Sequence, residues 1–203
     1  MRFVCAQMGS RDAYQLPLAL AEAGRLELFC TDFIARASWQ KKLARTGIFG
    51  SSRWSEDLPA QLTRNSWSTV LLQKATSTIL RDEELKRFLP DRWLAQILER
   101  QATRRGCHMF TFEPYAVARP PGGVPGGRKQ ILFHYHPHVD WEDKIYAEDQ
   151  QRFPEFYPKL KVTESPFRRR TADAWQQADR VLCASSFTRS TLMAAGMPKE
   201  NCA

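Results

Sequence analysis

The sequence predicts a doubly wound α/β fold, in which a mostly parallel, Rossmann-like sheet carries helices on both faces. Three observations lead there. Five short apolar runs alternate with helix-like stretches, and parallel neighbours need crossover connections of that kind. The runs are nearly continuous in apolar residues, as expected of strands covered on both sides. Breakers mark the boundaries, with Gly24 and Gly196 standing where a residue just past a helix end belongs.

Taken in order, residues 3–8 (FVCAQM) form the first strand, and Gly9-Ser10 ends it. A helix over 16–23 follows, with Pro17 fitting its first turn. Residues 26–33 (LELFCTDF) form the second strand. The stretch 34–69 has poor periodicity and yields no element. Helical patterns return at 70–88 and 91–105, with Pro90 and Asp91 predicting a break and a fresh start between them. The third strand is 107–113 (CHMFTFE), and a Pro/Gly-rich loop over 119–127 leads to the fourth, 129–135 (KQILFHY). Helices over 141–152 and 167–177, a fifth strand over 180–184 and a helix over 187–195 complete the series. No internal repeat or composition shift divides the 203 residues. Residues 1–203 read as one domain that ends where another strand would begin, so the chain reads as a fragment or a truncation.

Composition narrows the class. Hydrophobic residues make up 43% and charged residues 26% of the chain, an ordinary globular balance. No run approaches the roughly 20 apolar residues a membrane helix needs, and the amino terminus lacks a signal-peptide pattern. A cytoplasmic protein is the expectation. The net charge of +8 favours phosphates, nucleic acid or anionic lipid. No helix-turn-helix, zinc finger or RNP string accompanies it, so a nucleic-acid partner is not expected. Five cysteines, Cys5, Cys30, Cys107, Cys183 and Cys202, include no C-x-x-C pair and read as reduced, buried thiols.

Ligands of open parallel sheets collect at the carboxyl ends of the strands. That rule selects the loop of Gly9, Ser10, Arg11, Asp12, Tyr14 and Gln15, the segment from Glu113, the segment from His134 to Asp140, and the loop of Ser185 and Ser186. In the first loop, free N–H groups at a helix start would receive a phosphate or carboxylate, with Arg11 as an added donor. The bland alternative is an ordinary turn with Asp12 as a local cap. The string HYHPHVD places His134, His136 and His138 in alternation at a strand end. It supports metal binding completed by Asp140, hydrogen bonding of a neutral imidazole to a polar substrate, or simple packing. Ser186 reads as a helix cap. Arg168-Arg169-Arg170 reads as a solvated helix face or a phosphate-steering run.

Three strings carry a resemblance. GSRDAYQLPLALAEAG after the first strand, ILFHYHPH with an acidic helix behind it, and TADAWQQADRVLCASSFTRSTLMAAGMPKEN together resemble the amino-terminal half of family 4 glycosyltransferases. The resemblance implies one half of a GT-B fold, the acceptor-side domain, with the donor-binding second domain absent from this chain. It also implies sugar transfer from a nucleotide-sugar to a glycan or lipid-linked acceptor, with retention at the anomeric carbon and no cofactor or metal. Gly9 and Ser10 match the family's first-loop position, and His136, or failing that His134, matches its strand-end histidine that contacts the donor sugar. A single domain supplies half of that arrangement, so little activity is expected of it alone. Trp39, Lys41, Lys42, Leu43, Arg45, Ile48 and Phe49 combine apolar, aromatic and basic residues as a peripheral membrane segment would, at the inner face of the membrane. The alternative from another class is a metal-dependent hydrolase built on His134, His136, His138 and Asp140.

Overall fold

A computed structural model describes residues 1–35, 55, 57–118, 125–156 and 166–202. The membrane-contact segment around Trp39–Phe49 and residues 119–124 of the Pro/Gly-rich loop lie outside the described residues. Six parallel strands form one sheet: β1 (Phe3–Gln7), β2 (Leu26–Thr31), β3 (Thr63–Asn65), β4 (His108–Phe112), β5 (Gln130–His134) and β6 (Arg180–Cys183). Their spatial order is β3-β2-β1-β4-β5-β6, which is the Rossmann order. The α/β expectation therefore holds, with six strands in place of five.

Side-chain alternation along β1 explains why both faces are covered. Val4 and Ala6 enter one apolar cluster with Leu94, Leu98 and Ala102 of the long helix, while Phe3 and Cys5 enter another with Tyr14, Leu16 and Leu20. Period-two geometry sends neighbouring residues to opposite faces, so helices α1 (Gln15–Glu22) and α3 (Glu83–Arg105) sandwich the sheet. A third cluster beyond β5 joins Leu132 and Val181 to Trp175, Leu192 and Met197. Among the described residues, no helix is long and apolar enough to cross a membrane.

Three elements depart from expectation. β3 lies inside the stretch that yielded none: it is three residues long, and Asn65 pins it by exchanging side-chain hydrogen bonds with the N–H and C=O of Ile34, each 3.0 Å. The helical break falls at residues 80–82, between α2 (Trp67–Ile79) and α3, and not at Pro90. Asp82 caps α3 by accepting the Glu84 and Leu85 N–H groups at 2.8 and 3.0 Å. Pro90 sits inside α3 and leaves the Lys86 carbonyl without its helical donor; the Thr76 hydroxyl of α2 donates to that carbonyl instead, at 3.3 Å. The stretch 167–177 divides into α5 (Pro166–Ala172) and a 3-10 turn, Asp173–Gln177.

The remaining helices are α4 (Val139–Arg152) and α6 (Ser186–Ala194). Ser185, rather than Ser186, caps α6, accepting the Thr188 N–H at 3.0 Å. Tyr14, rather than Asp12, occupies the cap position of α1 and makes no side-chain cap bond. Cys5, Cys30 and Cys107 are buried as expected, whereas Cys183 and Cys202 are half-buried and bring their sulfurs to 3.4 Å. An isolated bridge from Val181 to Cys202 makes that approach possible.

Candidate active site

Parallel pairing puts the ends of β1, β4 and β5 on one edge. β1 and β5 flank β4, so the turns after them stand two strand spacings apart, about 10 Å. The strand order reverses between β1 and β4, where folds of this order open their ligand crevice. Two loops meet there: the Met8 N–H donates to the Tyr115 hydroxyl at 3.1 Å.

The turn after β1 begins with two amides that are already bonded within the protein. Gly9 adopts φ +69°, a conformation that favours glycine, and its N–H donates to Asp32 Oδ1 at 3.0 Å. Asp32, fully buried at the end of β2, also accepts the Thr31 hydroxyl at 3.0 Å. The amides of Met8 and Gly9 are thus occupied within the protein, and a carboxylate faces the turn. These two amides precede the helix start whose N–H groups are expected to receive a phosphate or carboxylate. Ser10 and the 3-10 turn Arg11–Tyr14 follow on the same edge. Tyr14 itself is buried in the core, its ring 5.9 Å from that of Phe29, and Gln15 is exposed at the start of α1.

The edge formed by β4 and β5 is built differently. β4 ends at Phe112, and a 3-10 turn, Glu113–Tyr115, folds the Glu113 side chain across the end of β5. Glu113 Oε1 accepts the N–H groups of Tyr135 at 2.5 Å and His136 at 3.4 Å, and it stands 3.7 Å from His134 Nδ1. Both side chains are buried, His134 to 2% exposure. His134 Nδ1 makes no hydrogen bond, and burial holds the imidazole below its ordinary pKa of 6.5, opposed by the Glu113 carboxylate. β5 ends at His134, so the three imidazoles do not share one strand face. His136 is exposed beyond the strand, its ring 5.2 Å from that of Tyr135.

His138 is buried and has a structural task. It caps α4 by accepting the Asp140 N–H on Nδ1 at 3.3 Å, it faces Asp173 Oδ1 through Nε2 at 3.3 Å, and its own N–H donates to Thr191 Oγ1 at 3.0 Å. Among the described residues, no group of three or more His, Cys, Asp or Glu side chains is arranged to hold a metal ion. The histidine string therefore divides into a buried base, an exposed imidazole and a helix cap.

A cavity of about 610 Å³ opens beside His136, within the usual range for a small-molecule site. Glu113, His134, His136, Pro137 and Asp173 form its sheet side, and the first half of α3 and helix α5 close it. Among the described residues, none of Gly9, Ser10, Tyr14, Gln15, Ser185 or Ser186 lines it, and the side chains of Arg11 and Asp12 lie outside the described ones. No protein-family model, curated protein or solved structure matches the chain.

Asp173 and Tyr115 escape sequence reasoning because their roles depend on partners 35 and 107 residues away. The arginine run is only partly a solvated face. Arg168 binds Glu142 at 3.1 Å and also Asp143, and Arg169 binds Asp140 at 2.6 Å, so α5 is clamped to the acidic start of α4.

Proposed function

We propose that this chain is the acceptor-side half of a retaining glycosyltransferase of GT-B architecture, acting in the cytoplasm and using a nucleotide-sugar as donor. The observation that carries the reading is the Glu113 carboxylate, which holds the Tyr135 and His136 amides and so fixes His136 at the rim of the cavity. An exposed, positioned imidazole at the carboxyl edge of a parallel sheet is suited to hydrogen-bond a sugar hydroxyl. Glu113 is then a positioning residue, and His136 is the group that touches sugar. Transfer also needs the leaving diphosphate neutralised on the same sugar face; in this reading a second domain supplies that, and the chain alone turns substrate over poorly. The resemblance of the three strings to family 4 glycosyltransferases supports the same assignment.

Saturation-transfer NMR of the purified chain against nucleotide-sugars and oligosaccharides tests it. Binding by the wild type should weaken about fivefold in His136→Ala, the loss of one positioned hydrogen bond. Absence of binding to every sugar, or equal binding by the variant, would overturn the assignment of His136.

A further inference from the structure

Four arginines line the cavity, and the fold uses them unequally. Arg168 is engaged by Glu142 and Asp143. Arg87 is exposed. Among the described residues, neither Arg92 nor Arg170 has a carboxylate within ion-pair distance.

Arg92 Nη1 is moreover buried without a hydrogen-bond partner. Burial and the nearby charge of Arg170 both ease the loss of its proton, with Glu99 opposing. Arg170 stacks 5.6 Å over the Phe88 ring, and Phe88 lies 4.3 Å from Phe167, so an aromatic wall backs this guanidinium. The carboxylates that share the cavity do not neutralise the pair. Glu113 serves two main-chain amides, Glu142 serves Arg168, Asp173 serves His138, and Glu84 and Asp91 have interactions of their own.

Two like charges in one cavity, on α3 and α5, one of them with a buried and unused donor, are unfavourable unless a counter-charge joins them. A planar carboxylate has two oxygens and satisfies one guanidinium fork; a phosphoryl group has three and can serve two. We propose that Arg92 and Arg170 bind a phosphoryl group of the ligand that occupies this cavity. Only the statement that this ligand is the sugar acceptor rests on the glycosyltransferase reading; the phosphoryl site stands on the arginines and the cavity. The acceptor is then a phosphate monoester or a diphosphate, presented in solution or as a lipid headgroup.

Isothermal titration of the full chain with inorganic phosphate and with pyrophosphate tests the site, using Arg92→Gln, Arg170→Gln and the double variant. Arg104→Gln, on the exposed last turn of α3, is the control for non-specific attraction to a basic surface. Each single cavity variant should weaken binding about tenfold, the loss of one charge-assisted contact, and the double variant should abolish it, while the control binds as the wild type does. Thermal unfolding without phosphate should leave the cavity variants at least as stable as the wild type, because a repulsion has been removed. Co-sedimentation with phosphatidylcholine vesicles, with and without phosphatidic acid, assigns the phosphoryl group to a headgroup if binding depends on Arg92, and to a soluble ligand if only free phosphate binds. No phosphate binding, or equal binding by all four variants, overturns the proposal. Sugar binding that survives such a failure would leave the proposed function standing, whereas phosphate binding without any sugar binding would leave only the anion site.

Discussion

The two halves of the sheet edge use their backbone amides differently. After β1, donors and acceptors meet each other: the Gly9 amide reaches Asp32, and the Met8 amide reaches Tyr115. After β4 and β5, polar groups remain over. His134 Nδ1 and Arg92 Nη1 are buried without hydrogen bonds, and His136 is held outward by bonds to its backbone rather than to its ring. Buried polar groups are normally paired, and Arg92 Nη1 is an unpaired one on a residue that lines the cavity.

The largest effect that sharpens this contrast is on stability. Asp32→Ala should destabilise the protein by about 2–3 kcal/mol, because a buried carboxylate disappears and the Gly9 amide loses its acceptor. Ligand binding at the cavity should be unchanged. Chemical denaturation, read alongside phosphate titration, checks both halves of that statement; lost affinity in a folded variant would break the division between the two edges. Glu113→Ala is the counterpart on the other edge. It orphans the Tyr135 and His136 amides at a cost of about 1–3 kcal/mol and should also loosen His136, whereas Glu113→Gln keeps an acceptor oxygen and should restore most of both. Failure of the glutamine variant to rescue saccharide affinity would show that the charge, and not positioning, is what matters.

Much of the sheet is legible in the sequence because its strands are buried on both faces and write themselves as apolar runs, FVCAQM and QILFH among them. β3 is not, since Thr63-Arg64-Asn65 has no such run and owes its place to Asn65 bonding Ile34. The continuity of α3 through Pro90 is equally invisible, because the donor that replaces the missing N–H comes from Thr76 on another helix. The site shows the same division. The histidine string stands out locally, yet its three members take separate roles only when Glu113, Asp173 and Thr191 arrive from elsewhere in the chain. Arg92 carries no local signal at all. Likewise Cys183 and Cys202 look unrelated in the sequence and meet only through β6, where burial and their mutual hydrogen bond push the Cys183 thiol up to about 12.

Smaller effects follow. Gly9→Ala should cost about 1 kcal/mol through its positive φ and leave binding intact, as denaturant midpoints would reveal. The pH dependence has a definite sign. His134 is depressed in the folded state, so the unfolded chain binds its proton first, and this contribution to stability is full above pH 6.5 and falls away as the pH drops below it. His134→Gln should flatten the decline in unfolding free energy as the pH falls below 6.5. An unaltered profile would mean that the imidazole is already hydrated and that the β4–β5 edge is less dry than its burial indicates.

The most direct test is to follow the side-chain resonances of His136, Arg92 and Arg170 and the backbone amides of Met8 and Gly9 by NMR during titration with a sugar phosphate. The account predicts that the histidine and both arginines shift together along one saturation curve while the two amides stay in place. Movement of the Met8 and Gly9 amides with a silent cavity would contradict it.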